Sequence, residues 1–74
     1  MALKEIPPDE LQRRDALVNA IRGLARKNSC SHRTAIKHAI QMARIGNVTH
    51  AGKSAAEAGV PLDEFMAITA LIYG

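Results

Sequence analysis

Ser54-Ala55-Ala56-Glu57-Ala58-Gly59-Val60-Pro61-Leu62-Asp63-Glu64-Phe65-Met66-Ala67-Ile68 is the stretch whose reading decides the fold. Small residues crowd its first third and let a neighbouring helix approach closely. Gly59 then supplies the positive φ that ends a helix. Pro61 biases Val60 toward extended backbone and resets the chain direction. Asp63 and Glu64 follow, where carboxylates suit the positive end of a new helix. The stretch therefore predicts two helices meeting at a tight turn. The first is short, capped by Thr49 and ending at Ala58; the second runs from Leu62 toward the end of the chain.

Upstream, the pattern stays helical. Pro7 and Pro8 open a first helix of about Pro8 to Lys27, with Asp9 and Glu10 in its first turn and Arg26 and Lys27 in its last. Leu17, Ala20, Ile21, Leu24 and Ala25 recur at helical spacing. Asn28 and Ser29 break the pattern, and Ser29 or Ser31 is placed to cap a second helix. There Ile36, Ala39, Ile40 and Ala43 form one stripe, and Gly46-Asn47 ends it. No segment has strand periodicity. The chain reads as one all-α domain over residues 1–74, a small bundle of about four helices containing a helical hairpin, with residues 1–7 as an extended or flexible arm.

The last helix has no polar face. Leu62, Phe65, Met66, Ala67, Ile68, Ala70, Leu71, Ile72 and Tyr73 surround it, and a helix apolar all round is buried on all sides. A chain of 74 residues hardly provides that burial alone. A single core below roughly 70–80 residues seldom contributes more than ~3–5 kcal/mol, and small domains add disulfides, metals or partner subunits. The one cysteine, Cys30, forms no internal disulfide and fits a reducing compartment. A homodimer is therefore expected, with Phe65, Ile68, Leu71, Ile72 and Tyr73 as the dimer or partner interface.

Within the opening stretch, Ala55, Ala58, Gly59, Val60, Phe65 and Ile68 occupy the places that a helix-turn-helix requires: a small residue, glycine four later, and apolar residues locking the crossing angle. Ser54 departs from the pattern, which calls for an apolar residue there. Residues 46–74, with Ala55-Ala56-Glu57-Ala58-Gly59 and the acidic-apolar helix that follows, resemble small prokaryotic helix-turn-helix, antitoxin-like proteins. The resemblance implies a DNA-binding fold and a role in transcription regulation. The side chains that would face the major groove are Pro61, Leu62, Asp63, Met66 and Ala67. None of them is Arg, Lys, Asn or Gln, the residue types that form bidentate contacts with bases.

Charge points to another surface. Eight basic residues lie between Arg13 and Arg44, with only Asp15 against them, whereas the last ten residues carry no charge. Solvated faces normally mix signs, so this imbalance favours an anionic partner. Arg33, Lys37 and Arg44 fall together on a helical wheel. With Arg22, Arg26 and Lys27 they are the candidate phosphate contacts, which bind duplex DNA without reading sequence. Phe65 and Tyr73, the only aromatic residues, lie in the apolar helix, which disfavours base stacking on single strands.

Other chemistries find no support. Cys30, His32, His38 and His50 lack zinc-ligand spacing. Cys30 beside His32 has no third group to orient it as a nucleophile. No phosphate loop, catalytic carboxylate pair or Gly-x-Ser-x-Gly occurs, so neither enzymatic activity, a metal nor a cofactor is expected. No signal peptide and no apolar run of roughly 20 residues is visible, and a soluble cytoplasmic protein without membrane contact is expected. The expected function is that of a small DNA-binding regulator. The alternative is an adaptor or inhibitor that docks a protein through the apolar C-terminal helix.

Overall fold

Proline at the first helical position, acids in the first turn and bases in the last make α1 (Pro8–Lys27) the longest element of the computed structural model, which describes residues 5–74. Three shorter helices follow: α2 (Arg33–Arg44), α3 (Val48–Ala58) and α4 (Leu62–Tyr73). There is no strand among the described residues. The expected bundle of four helices is the fold found. Of the expected N-terminal arm, residues 1–4 lie outside the described residues, and residues 5–7 are not helical.

The central helix is α1. Leu17, Val18, Ile21, Leu24 and Ala25 are its buried face. Both α2 and α4 run antiparallel to it. Arg14, early in α1, donates to the carbonyl of Arg44 at the end of α2 (3.4 Å). Lys27, at the other end of α1, meets Glu64 at the start of α4 (3.0 Å), and Arg13 lies 6.0 Å from the ring centroid of Tyr73 at its finish. In turn, α3 packs chiefly on α2, with alanines on both sides of the contact: Ala35, Ala39 and Ala43 against Ala51, Ala55 and Ala58. Small side chains bring the two backbones close, so dispersion contacts accumulate without large residues.

Two features of α2 differ from the sequence-based expectation. Its inward face is led by Ala35, Ala39 and Ala43, while Ile36 and Ile40 are only half-buried. Its N-cap is His32, whose Nδ1 accepts from the N–H of Ala35 (3.2 Å). Ser29 instead adopts a positive φ of 54°. The N–H groups of Ser29 and Cys30 reach back to the carbonyls of Arg26 and Ala25 (3.2 and 2.8 Å). Ser29 thus terminates α1, and Ser31 falls one residue short of the cap. Likewise α3 is capped by Asn47, whose Oδ1 accepts from the N–H of His50 (3.2 Å), and Thr49 lies inside the first turn.

The hairpin predicted at Gly59 is present. Gly59 has φ +108°, and the N–H groups of Gly59 and Val60 bond to the carbonyls of Ala56 and Ala55 (both 3.0 Å). This satisfies two carbonyls that the end of α3 would otherwise leave open. Val60 and Phe65 are buried just beyond. The Phe65 ring lies against Gly52, where a Cβ would stand 2.9 Å from the ring edge. Ser54, the residue that departs from the apolar pattern, is also buried, and His38 Nδ1 lies 2.7 Å from its hydroxyl. A polar residue is tolerated there because α2 supplies its partner.

Candidate nucleic-acid interface

The face of α2 opposite its alanines carries the cations. Arg33, Lys37 and Arg44 share one edge of the helix and are all exposed. At a rise of about 1.5 Å per residue the row is roughly 16 Å long. The helix contains no acidic residue to neutralise it. On α1, Arg22 and Arg26 are exposed one turn apart.

The ion pairs among the described residues sort the remaining bases. Glu10 holds both Arg13 (3.3 Å) and Arg14 (3.1 Å). Glu64 holds Lys27 (3.0 Å) and accepts from Asn28 (3.4 Å). These contacts, the bond from Lys27 first, keep the Glu64 carboxyl below its ordinary pKa. Lys27 therefore reaches a phosphate only by leaving Glu64. Arg22, Arg26, Arg33, Lys37 and Arg44 make no ion pair among the described residues, and neither does Lys53 on α3. Of the six candidate contacts, five present an uncompensated charge to solvent and one is engaged.

The outward positions near the start of α4 are Leu62, Asp63, Met66 and Ala67. They offer no side chain for bidentate base contacts and one negative charge. The helix that would read bases in a helix-turn-helix is thus the less suited surface, and α2 is the better one.

The residues expected at an interface on α4 divide into two groups. Phe65 is 4% exposed and belongs to the protein's own core, because Gly52 leaves room for its ring. Ile68, Ile72 and Tyr73 are half-buried and pack on that same core. Only Leu71 is left to solvent, at 85% exposure. The bundle itself covers one side of α4, where α1 and α3 flank it, and Phe65 is the one fully buried residue of this helix. Tyr73 Oη is enclosed without a hydrogen-bond partner among the described residues, and burial pushes its pKa up.

One feature was not foreseen. Between α3 and α4 lies an apolar groove of about 400 Å³, floored by Gly52, Ala56 and Phe65 and rimmed by Leu62 and Met66. Glycine at position 52 was the available signal, because a helical position without a side chain leaves space on its face.

The described residues contain no group of three His, Cys, Asp or Glu placed to hold a metal ion. They contain no helix long and apolar enough to cross a membrane. Cys30 is half-buried, its sulfur packed toward Gly59. Comparison with known proteins finds no matching family model, no similar curated protein and no similar solved structure.

Proposed function

We propose that this chain binds the phosphate backbone of duplex DNA through the outer face of α2, as a small regulator of the helix-turn-helix or antitoxin-like type. The observation that carries the reading is the row Arg33, Lys37 and Arg44: three exposed cations, no acid in the helix, and no ion pair among the described residues. Folding leaves these charges uncompensated, whereas it pairs Arg13, Arg14 and Lys27. Arg22 and Arg26 extend the basic surface onto α1. The hairpin α3–α4 supports the resemblance in backbone geometry, but its second helix supplies no base-reading residue. Binding is therefore expected to be electrostatic and largely indifferent to sequence.

A gel shift with random duplex DNA over a salt series tests this. Each neutralised phosphate contributes about −0.9 to the slope of log affinity against log salt. The row alone should give a slope of about −3, and a steeper one if Arg22 and Arg26 take part. Replacing Arg33, Lys37 and Arg44 together with alanine should flatten the slope and weaken all sequences alike. Glu64→Gln should strengthen binding by releasing Lys27. Absence of binding at low salt overturns the reading. It would favour the adaptor or inhibitor reading, in which a protein docks on the exposed apolar surface of α4.

A further inference from the structure

Building on the DNA reading, we propose that the seam between α1 and α2 is the phosphate seat of this basic surface, with Arg22 and Arg26 on one bank and Lys37 and Arg33 on the other. Successive phosphates along one strand of duplex DNA are the ligand chemistry it fits.

Helix geometry sets the banks. The two helices are antiparallel and close at both ends. Arg14 donates to the carbonyl of Arg44 at one end, and residues 28–32 join the helices at the other. On α1, Arg13 and Lys27 mark the side turned to α4, and Arg14 marks the side turned to α2. Asp15, Arg22 and Arg26 form an exposed stripe just outside Arg14 and Val18, on that α2 side. Among the described residues α2 touches only α1 and α3. His38, bonded to Ser54, marks its α3 side, so the half-buried Ile36 and Ile40 border α1. Arg33, Lys37 and Arg44 lie immediately outside those two isoleucines, and the two stripes flank one seam.

Their spacing matches. Arg22 and Arg26 follow Asp15 by seven and eleven residues, about two and three turns. Lys37 and Arg33 precede Arg44 by the same intervals. In an antiparallel pair anchored at Arg14 and Arg44, three levels result: Asp15 with Arg44, Arg22 with Lys37, and Arg26 with Arg33. The first level joins opposite charges. The other two join like charges and stand about 6 Å apart along the seam, between helix axes that pack at about 8–10 Å. All four of these cations are exposed, and none makes an ion pair among the described residues. Like charges set level across a seam repel, and an anion between them removes the repulsion. A strand of phosphates running along the seam supplies that anion at each level. Arg44 is the weaker contact, because Asp15 stands level with it.

Salt-dependent binding of random duplex DNA by alanine variants tests the seat. Every replaced side chain is exposed, so circular dichroism should show the variants folded. Arg22→Ala with Arg26→Ala should make the slope of log affinity against log salt shallower by about 1.8, and Arg33→Ala with Lys37→Ala by the same amount. Arg44→Ala should weaken binding, in log units, by less than roughly half the loss from Lys37→Ala. Asp15→Asn should strengthen it. An unchanged slope without the α1 pair overturns the proposal, as does a loss from Arg44→Ala equal to that from Lys37→Ala. If the intact chain leaves DNA unbound at low salt, the DNA reading fails and inorganic tripolyphosphate decides on the seat alone. It should then raise the melting temperature of the intact chain and leave that of the four-alanine variant unmoved. An equal effect on both, or none on either, overturns the seat.

Discussion

Two helices of twelve residues, α2 and α4, solve the same packing problem in opposite ways. In α2 the faces are sorted: alanines turn inward and Arg33, Lys37 and Arg44 turn out. In α4 they are not. Phe65, Ile68 and Ile72 turn inward, yet Leu62, Met66 and Leu71 remain on the surface. A sorted helix buries one face against its neighbours, here α1 and α3, and displays its chemistry to solvent on the other. An unsorted helix is only partly accounted for by the bundle that holds it. The difference also lies in what locks each helix. Small-residue contacts and one hydrogen bond to Ser54 hold α2 on α3, whereas a single aromatic ring seated on a glycine joins α4 to α3.

The largest effects should therefore fall on the aromatic lock. Phe65→Ala should cost about 3–4 kcal/mol in urea unfolding, from lost burial and the cavity left behind. A cost below about 1 kcal/mol would mean that the ring does not hold the hairpin. Gly52→Val attacks the same contact from the other side. A side chain there meets the ring at 2.9 Å or less, and overpacking of this kind costs about 1–3 kcal/mol. Stability at or above that of the intact chain would show that Phe65 moves freely.

The α2 side predicts smaller losses with a definite order. His38→Ala removes the partner of the buried Ser54 hydroxyl and should cost about 1–3 kcal/mol, the penalty of an unsatisfied buried polar group. Ser54→Ala leaves only the exposed His38 without a partner and should cost less. The reverse order in thermal melts would mean that water already serves Ser54. Smaller still is the effect at Tyr73. Its hydroxyl is buried without a partner among the described residues, so Tyr73→Phe should change stability by less than about 1 kcal/mol and toward gain. Burial raises its folded pKa, so its contribution is intact below the ordinary value of 10.0. It is lost as the unfolded chain ionises above that value. Tyr73→Phe should shrink this alkaline decline in a pH series of melts. The smallest change is expected from replacing Arg33, Lys37 and Arg44 with alanine, each within about 0.5 kcal/mol. A large loss would make the row structural.

Charged and punctuating residues made much of this legible from the chain. Pro8, Gly59 and Pro61 fixed helix ends correctly because their backbone preferences act locally. The exposed row on α2 followed from spacing, since no other part of the sequence needed to be known. What escaped the reading depended on neighbours. The fate of Ser54 rests on His38, sixteen residues earlier. Lys27 is engaged because α4 returns to the end of α1 and brings Glu64. The interior place of Phe65 rests on the bare backbone of Gly52. Caps were misplaced by one to three residues because several polar residues competed at each turn, and hydrogen bonding in the assembled turn chose among them.

Position 46 carries a consequence of another kind. Gly46 has φ +82°, and a Cβ there would stand 2.8 Å from the Arg14 guanidinium that bonds to the end of α2. Asparagine tolerates that backbone conformation, but its side chain would collide with the arginine. Positions 14 and 46 are thereby joined in a single tolerance rule. A side chain at 46 is accommodated when the flexible end of Arg14 swings aside, giving up its bond to the end of α2, or when the residue at 14 is shortened. In a double-mutant cycle the pair Arg14→Ala and Gly46→Asn should together cost less than the sum of the two alone.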